Sequence, residues 1–289
     1  MRVDVLGPMA VTQSGAFVRL AGQRQRALLA ALVLDLGQIV SVPRLVDVVW
    51  GDEPPRTART KLYAHVWALR EEFDRVAPGS SSLLTTTTPG YRLASYGVCV
   101  DLAEFKGLTA RGRQALNRQD AQTAAELFRG ALALWRGQPF ADVSSAAIRT
   151  VADALNERHL QALEASAEAD LALDRYETVA ADLGELLISH PLRERMRALC
   201  MLALYRMGCR ADALSHYHTG REATIAELGL EPGPNLRQLQ QLVLRDDPVL
   251  TTPVAALGLV MATPAAKLHS ASTAPSARSH CRPSAPAKC

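Results

Sequence analysis

Five positively charged side chains lie within a stretch of twenty residues, and they are the strongest chemical signal in the sequence. They are Arg56, Arg59, Lys61, Arg70 and Arg75. Cations that approach phosphates displace condensed counterions, so such a cluster favours binding to a nucleic-acid backbone. The chemistry that this cluster predicts is electrostatic recognition of a polyanion.

The same stretch has the period of an α-helix. Leu62, Val66, Leu69 and Phe73 recur at i, i+4, i+7 and i+11, which places them on one apolar face. Each residue turns about 100° around the axis, so the opposite face carries mostly short side chains. That face consists of Thr57, Thr60, Lys61, Ala64, Trp67 and Ala68. The pattern predicts a helix over 56–73 whose outward face can approach the floor of a groove.

The outward residues suit the two kinds of DNA contact. We expect Arg56 and Arg59 in the first turn, where the N-terminus of a helix also favours phosphate. Thr60 can hydrogen-bond to a base, and Ala64 can pack on a thymine methyl group. Lys61 can reach either a base edge or a phosphate.

Two ring side chains of this helix have less certain roles. His65 lies at the edge of the apolar stripe, and we expect it to be packed or to touch a phosphate rather than to read a base. Two environments are possible for the Trp67 side chain. It lies against sugar, phosphate or a neighbouring protein, or it packs as a rim residue on the hairpin that follows.

A predicted β-hairpin follows the helix. Residues 83–88 and 91–93 are strand-like, and Pro89-Gly90 gives the tight turn between them. We expect its hydroxyl and cationic side chains to contact phosphates, whereas the alternative is that the threonines reflect β-propensity alone. The predicted contact surface combines one arginine of the preceding helix with four residues of the hairpin. These residues are Arg70, Thr86, Thr87, Tyr91 and Arg92.

The elements that position these side chains come in a definite order. Residues 2–20 alternate like strands, residues 23–36 and 42–50 are predicted helices, and the helix over 56–73 and the hairpin follow. A sheet, three helices and a hairpin form the layout of a winged helix-turn-helix, in which the third helix enters the major groove. A packing module without a role in DNA binding is the alternative.

The second half of the chain is predicted to be all-α. Asp174 and Gly208 mark turns 34 positions apart, and an alanine-rich amphipathic helix follows each turn. A period of about 34 residues is typical of tetratricopeptide repeats, although an irregular helical bundle is the alternative. We therefore predict a mainly α chain with a winged-helix domain at 1–96, a helical repeat domain at 97–246 and a disordered basic Ala/Ser/Pro-rich tail at 247–289.

The distribution of charge places a polyanion partner on the first domain. Residues 1–95 hold 11 Lys/Arg and 8 Asp/Glu, whereas residues 96–247 hold 17 and 21. Five cysteines without a CxxC pair predict a reducing cytoplasm with no disulfide framework, and we expect a DNA-binding protein there to be nucleoid-associated. No apolar run is long enough to span a bilayer, so we expect no membrane association.

We find no set of residues that predicts catalysis. The sequence has no GxxxxGK[ST], GxSxG or HExxH motif, and no GxGxxG after a strand. His216 and His218, with Cys209 nearby, are the most tempting metal ligands. At i and i+2 on a helix, however, the two histidines point about 200° apart and do not converge on one ion. We therefore predict a binding protein with no catalytic residue, cofactor or metal.

Six segments, in order, resemble the Streptomyces antibiotic regulatory protein family over about residues 2–245. Three resemble its OmpR-type winged helix: GQRQRALLAALVL, LVDVVWGDEPPRTARTKLYAHVWALR and TTTTPGYRL. Three resemble its bacterial transcriptional activation domain: ALALWRGQPFADV, LISHPLRERMRALCMLALYRMGCRADAL and AELGLEPGPNLRQLQQ.

The resemblance implies an activator of an antibiotic or other secondary-metabolite gene cluster. It implies a homodimer that binds direct repeats in double-stranded DNA near the −35 element and recruits RNA polymerase, including sigma factor region 4. The helix over 56–73 matches the family's recognition helix, and the GYRL hairpin matches its wing. No receiver domain precedes the winged helix, so we expect no phosphorylation control in cis. Trp67 stands where related winged helices often carry an arginine.

Two other functions stay open at this point. A tetratricopeptide-type adaptor would bind protein through its N-terminal domain, and its binding would depend little on salt. A repressor of the same fold would block polymerase by DNA contact alone. The residues by themselves do not separate activation from repression.

Overall fold

The computed structural model describes residues 1–251, and its first half contains two small sheets. One sheet has the strand order β3-β2-β1-β7 and the other has the order β4-β6-β5. The strands are β1 Arg2–Asp4, β2 Ala10–Gln13, β3 Ala16–Phe17, β4 Val40–Ser41, β5 Leu84–Thr87, β6 Gly90–Leu93 and β7 Cys99–Val100. β7 lies parallel to β1, so the first sheet joins the start of the chain to the segment after the hairpin.

The three predicted helices lie between β3 and β5 in sequence, with β4 between the first and second of them. They are α1 Gln23–Leu34, α2 Val42–Trp50 and α3 Ala58–Val76. α1 is the central helix, because most of its residues are buried. α2 begins after Ser41, whose hydroxyl accepts a hydrogen bond from the Arg44 N–H, and Pro43 lies in its first turn. α3 buries one stripe only, which leaves its other faces to solvent.

The second sheet forms the predicted wing. β5 and β6 are an antiparallel hairpin in which Thr86 lies opposite Tyr91 and Thr85 lies opposite Arg92. β4 adds a strand that the sequence did not predict. Glycine is required at position 90, because a Cβ there would lie 1.9 Å from the Val40 carbonyl oxygen. The wing is therefore tied directly to the segment that opens α2.

Residues 101–245 form seven α-helices, each packed largely against its neighbours in sequence. They are α4 Asp101–Asn117, α5 Ala121–Leu132, α6 Ala146–Ala172, α7 Tyr176–Ser189, α8 Glu194–Arg206, α9 Arg210–Leu228 and α10 Pro234–Arg245. The predicted turns at Asp174 and Gly208 have the same structure, with φ of 59° and 80°. The N–H groups of Asp174 and Gly208 donate to the carbonyl oxygen three residues earlier, at 3.3 and 2.9 Å. The N–H groups of the next residues, Arg175 and Cys209, donate to the carbonyl oxygen five residues earlier, at 3.0 and 2.9 Å. The 34-residue spacing thus corresponds to a repeated helix-ending turn, as in a tetratricopeptide-like array.

The hydrophobic core is continuous from the first sheet into α6. Phe105, Phe140 and Leu155 belong to the same buried cluster as Val5. The Asp101 carboxylate, 1% exposed, accepts the N–H groups of Val5 and Leu6 at 2.8 and 2.9 Å. The domain boundary predicted between residues 96 and 97 stays a prediction. Buried side chains from both sides of it belong to one hydrophobic cluster.

The last described residues also belong to the fold. Residues Pro248–Thr251 form a 3-10 helix whose Leu250 is buried in the cluster around α8. The start of the predicted tail is therefore packed, and residues 252–289 lie outside the described part of the chain. Within residues 1–251, none of the helices has the length and apolar character needed to cross a membrane.

Candidate nucleic-acid interface

α3 has the two faces that its sequence predicts. Leu62, Val66, Leu69 and Phe73 are at most 2% exposed and pack into the core. Outward residues Thr60, Lys61, Ala64 and Trp67 are exposed, whereas Ala68 is half-buried. Because the buried stripe fixes the rotation of α3, the short side chains at 60 and 64 lie on its solvent side.

Arg56 lies outside α3, which corrects the prediction that it belongs to the first turn. The Ala58 N–H donates to the Pro55 carbonyl at 2.8 Å, so a tight turn occupies residues 55–58 and Thr57 becomes the N-cap. Arg59, in contrast, is in the first turn as predicted. Arg56 and Arg59 still flank the N-terminus of the helix, where the free N–H groups favour an anion.

The cations at the N-terminal half of α3 have no partner among the residues that the structure describes. Arg56, Arg59 and Lys61 form neither an ion pair nor a side-chain hydrogen bond within residues 1–251. Arg75 differs, because its guanidinium donates to the Glu72 carboxylate at 2.7 and 2.9 Å. The cations without a partner thus lie at the N-terminal end of α3, whereas the charge of Arg75 is paired with a carboxylate.

Arg70 and Tyr91 have a structural role that the sequence did not predict. The Arg70 guanidinium donates to the Leu84 carbonyl and to the Thr86 hydroxyl, both at 2.8 Å, and lies 6.0 Å from the Tyr91 ring centroid. Tyr91 is only 5% exposed. Its ring is turned toward Tyr63 and Arg70 of α3, and the phosphate contact predicted for Tyr91 stays a prediction. Arg70 fixes the wing on α3.

The hydroxyl groups of the wing are partly used within the hairpin. The Thr87 hydroxyl donates to the Gly90 carbonyl at 3.3 Å, and Thr86 accepts from Arg70. Arg92 is exposed and has no ion pair among the described residues. Arg92 is therefore the wing side chain best placed to add positive charge to the interface.

His65 lies at the boundary between α3 and α2, as its position beside the apolar stripe predicts. Its ring centroid is 6.1 Å from that of Trp50, and it is half-buried. Burial lowers the pKa of His65, and the positive charges of Arg24 and Lys61 lower it further. A phosphate beside this imidazole would oppose that shift, because it would favour the charged form.

Two exposed aromatic rings project from the outward side of α3. Trp67 is 64% exposed, so the alternative in which it packs on the wing is wrong. Tyr63 is 51% exposed, and sequence reasoning missed it. Its ring centroid lies 6.4 Å from that of Tyr91 in an edge-on arrangement. The signal was present in the i, i+4 spacing of Arg59, Tyr63 and Trp67, which forms a stripe beside the buried one.

The arrangement combines unpaired cations, short side chains and two rings on one exposed helix beside a wing. Such a surface can neutralise phosphates and place side chains against base edges. Among residues 1–251, no group of three His, Cys, Asp or Glu side chains could hold a metal ion. The fold and this surface define a winged-helix DNA-binding regulator of transcription with an attached helical domain.

Comparison with known families agrees with that class. Residues 18–93 match the family described as "Transcriptional regulatory protein, C terminal", and residues 100–244 match "Bacterial transcriptional activator domain". The chain belongs to the Streptomyces antibiotic regulatory protein family of transcriptional activators.

Individual relatives show how much of each protein corresponds to this chain. Regulatory protein DnrI of Streptomyces peucetius is 34% identical, over 86% of this chain and 93% of DnrI. Regulatory protein AfsR of Streptomyces coelicolor is 37% identical, over 89% of this chain but only 25% of AfsR. The solved structure of Mycobacterium tuberculosis EmbR in complex with a low-affinity phosphopeptide is 31% identical and superposes with a TM-score of 0.83, covering 89% of this chain and 69% of EmbR. The chain thus spans nearly all of DnrI and a quarter of AfsR.

Proposed function

We propose that this protein binds direct repeats in double-stranded DNA through α3 and the wing, and activates a secondary-metabolite gene cluster by recruiting RNA polymerase. The observation that carries the proposal is the exposed N-terminal half of α3. There, Arg59 and Lys61 have no partner among the described residues, whereas Arg26 in α1 and Arg75 at the other end of α3 are paired with carboxylates. Unpaired cations on a groove-sized helix are what a polyanion needs.

The proposed DNA contacts are of two kinds: some position the protein on the phosphate backbone, and others recognise bases. Arg56, Arg59 and Arg92 contact phosphates and set the register of the protein on the duplex. Thr60, Lys61 and Ala64 face the base edges, because their side chains occupy the outward side of α3. Arg70 acts through the wing, since its bonds to Leu84 and Thr86 hold the hairpin at the angle that lets both elements reach one duplex.

Recruitment requires an assembled pair on adjacent repeats. We propose that two copies bind as a head-to-tail homodimer near the −35 element and contact RNA polymerase, including sigma factor region 4. A cytoplasmic, nucleoid-associated location follows from this role. The continuous core between the first sheet and α6 supports it, because a rigid connection keeps the helical half in a fixed position over the promoter.

Selection of duplexes from a random library tests the DNA-binding part. We expect the bound fraction to converge on two direct repeats in one orientation. On that selected duplex, Lys61→Ala lowers affinity by about 1–3 kcal/mol if Lys61 reads a base. Arg75→Ala is the matched control, since its side chain is already paired with Glu72. A library that does not converge, or retention that does not depend on salt, would support the protein adaptor instead.

Transcription with purified RNA polymerase separates activation from repression. The template carries the selected repeats upstream of a −35 element, and the amount of full-length transcript is measured with and without the protein. We expect more transcript in the presence of the protein. Unchanged or reduced transcript, with DNA binding intact, would establish the repressor alternative.

A further inference from the structure

Tyr63 and Trp67 are the largest side chains on the exposed surface of α3, and the positioning contacts above do not use them. They are four residues apart, so their Cα atoms are separated by about 6 Å along the helix axis. Thr60 and Ala64 beside them are short and exposed. The two rings therefore extend further from the helix than Thr60 and Ala64.

Tyr63 is held in place from below. Its ring contacts the buried Tyr91 edge-on, and Tyr91 in turn lies against the Arg70 guanidinium. Arg70 is fixed by its two hydrogen bonds to the wing. A ring supported in this way loses little conformational freedom on binding, which suits a specific contact better than a non-specific one.

The major groove offers such rings one apolar partner. Base edges there present hydrogen-bond donors and acceptors, and the C5-methyl group of thymine is the only apolar group among them. Arg59 and Lys61 flank the ring pair with unpaired positive charge, so the whole surface faces a polyanion and not an apolar protein groove.

We infer that Tyr63 and Trp67 are specificity-determining residues that recognise thymine methyl groups in the operator. This inference rests on the proposed function and names the base chemistry that α3 selects. Because the two rings lie about one helical turn apart, we expect them to contact the methyl groups of two different thymines in each repeat.

Replacement of single thymidines by deoxyuridine tests the inference, because it removes the methyl group and leaves base pairing unchanged. On the selected duplex, we expect two substitutions per repeat to weaken binding of the wild type by about fourfold each, the value of one buried carbon at about 0.8 kcal/mol. Trp67→Ala should remove the sensitivity at one of these positions, and Tyr63→Ala should remove it at the other.

Tyr96→Ala is the matched control, because Tyr96 is an exposed aromatic residue outside α3 and the wing. It should keep the full deoxyuridine sensitivity. Thermal unfolding of each variant verifies folding, which exposed positions should preserve.

Three results would overturn the inference while leaving the proposed function intact. They are tight, salt-sensitive binding that ignores deoxyuridine, a selected repeat without thymine, and sensitivity that persists in both ring variants. In each case the rings would face sugar, phosphate or a protein. A failure to bind any duplex would instead remove the proposed function, and this inference with it.

Discussion

α3 and α8 are both rich in arginine, but they use it in opposite ways. In α8, the residues from Met196 to Ala203 are buried without interruption, and Arg197 among them is 3% exposed. Its guanidinium donates to the carbonyl groups of His216 and Pro191, both at 2.8 Å. In α3, only one stripe is buried and Arg59 has no partner among the described residues. The number of cations in a helix therefore does not by itself indicate a polyanion site, because a buried and hydrogen-bonded arginine such as Arg197 is not available to a ligand.

Arg197 and Arg59 differ in the free-energy cost of carrying a positive charge. A buried guanidinium without a carboxylate beside it is costly unless all its surroundings satisfy it. Burial lowers the pKa of Arg197, because desolvation disfavours the charged guanidinium that the two carbonyl groups stabilise. Arg59 has no such cost in the free protein, because water solvates it. Substitutions at these positions should thus separate stability from DNA binding.

Arg197→Ala should have the largest effect on folding. It removes two hydrogen bonds and leaves a cavity, so we expect the free energy of unfolding to fall by about 2–4 kcal/mol. Arg59→Ala should change it by less than about 0.5 kcal/mol. Urea unfolding followed by circular dichroism gives both values. Equal destabilisation by the two substitutions would break the comparison between α3 and α8.

Gly220→Ala sharpens the comparison by testing how closely α9 approaches this arginine. A Cβ at position 220 would lie 2.1 Å from the Arg197 Nε, so the single variant should lose about 1–3 kcal/mol. In the Arg197→Ala background the clash is absent, and alanine should instead stabilise the helix by up to about 1 kcal/mol. The double-mutant cycle measures this change of sign. Additive effects would show that Arg197 is not the residue that requires glycine.

A pair of histidines extends the comparison to pH. Burial against Trp135, whose ring stacks at 4.1 Å between centroids, lowers the pKa of His159 to about 4. The unfolded chain binds a proton at pH values below about 6.5, so stability should fall as pH decreases from 6.5 toward 4. We expect the free energy of unfolding to fall by about 1–2 kcal/mol over this pH range. This value allows for solvent screening of the part-exposed His159 ring.

His159→Gln should remove most of that dependence. His65→Gln should change it less, because His65 lies at the edge of α3 and its pKa is lowered to a smaller extent. Urea unfolding at several pH values between 4 and 7 gives the comparison. A slope that His159→Gln leaves unchanged would assign the proton uptake to another group.

Arg70→Ala should lower the free energy of unfolding by about 1 kcal/mol, because it removes one part-buried and one exposed hydrogen bond. Its effect on DNA binding should be larger than that of Arg75→Ala, because only Arg70 holds the wing. Hydrogen exchange of the wing amides, measured in the free protein, should increase in Arg70→Ala and stay unchanged in Arg75→Ala. Unaltered wing protection in both variants would contradict the role of Arg70.

The features that the sequence predicts well are local ones. The spacing of Leu62, Val66, Leu69 and Phe73 fixed the buried face of α3, since a helical period depends only on neighbouring residues. The wing was predicted for the same reason, from a threonine-rich strand and a Pro-Gly turn.

The features that the sequence did not predict depend on contacts between distant segments. Tyr91 is buried and Tyr63 exposed because of the angle at which the hairpin packs on α3, and no periodicity in either segment contains that angle. Asp101 accepts the Val5 N–H from 96 residues away, so its role appears only in the folded chain. Arg56 is a local exception, since it lies outside α3 because the turn at Pro55 delays the first helical residue.

The most direct test of the account measures how salt affects DNA affinity when the cations of α3 are removed. Dissociation constants for the selected duplex are determined over a range of salt concentrations for wild type, Arg56→Met/Arg59→Met and Arg75→Met. We predict that the slope of log affinity against log salt decreases in magnitude by about 1.8 for each bound copy of the double variant, at about 0.9 for each lost phosphate contact, and that Arg75→Met keeps the wild-type slope. A double variant with the wild-type slope would contradict the assignment of α3 as the DNA-binding surface.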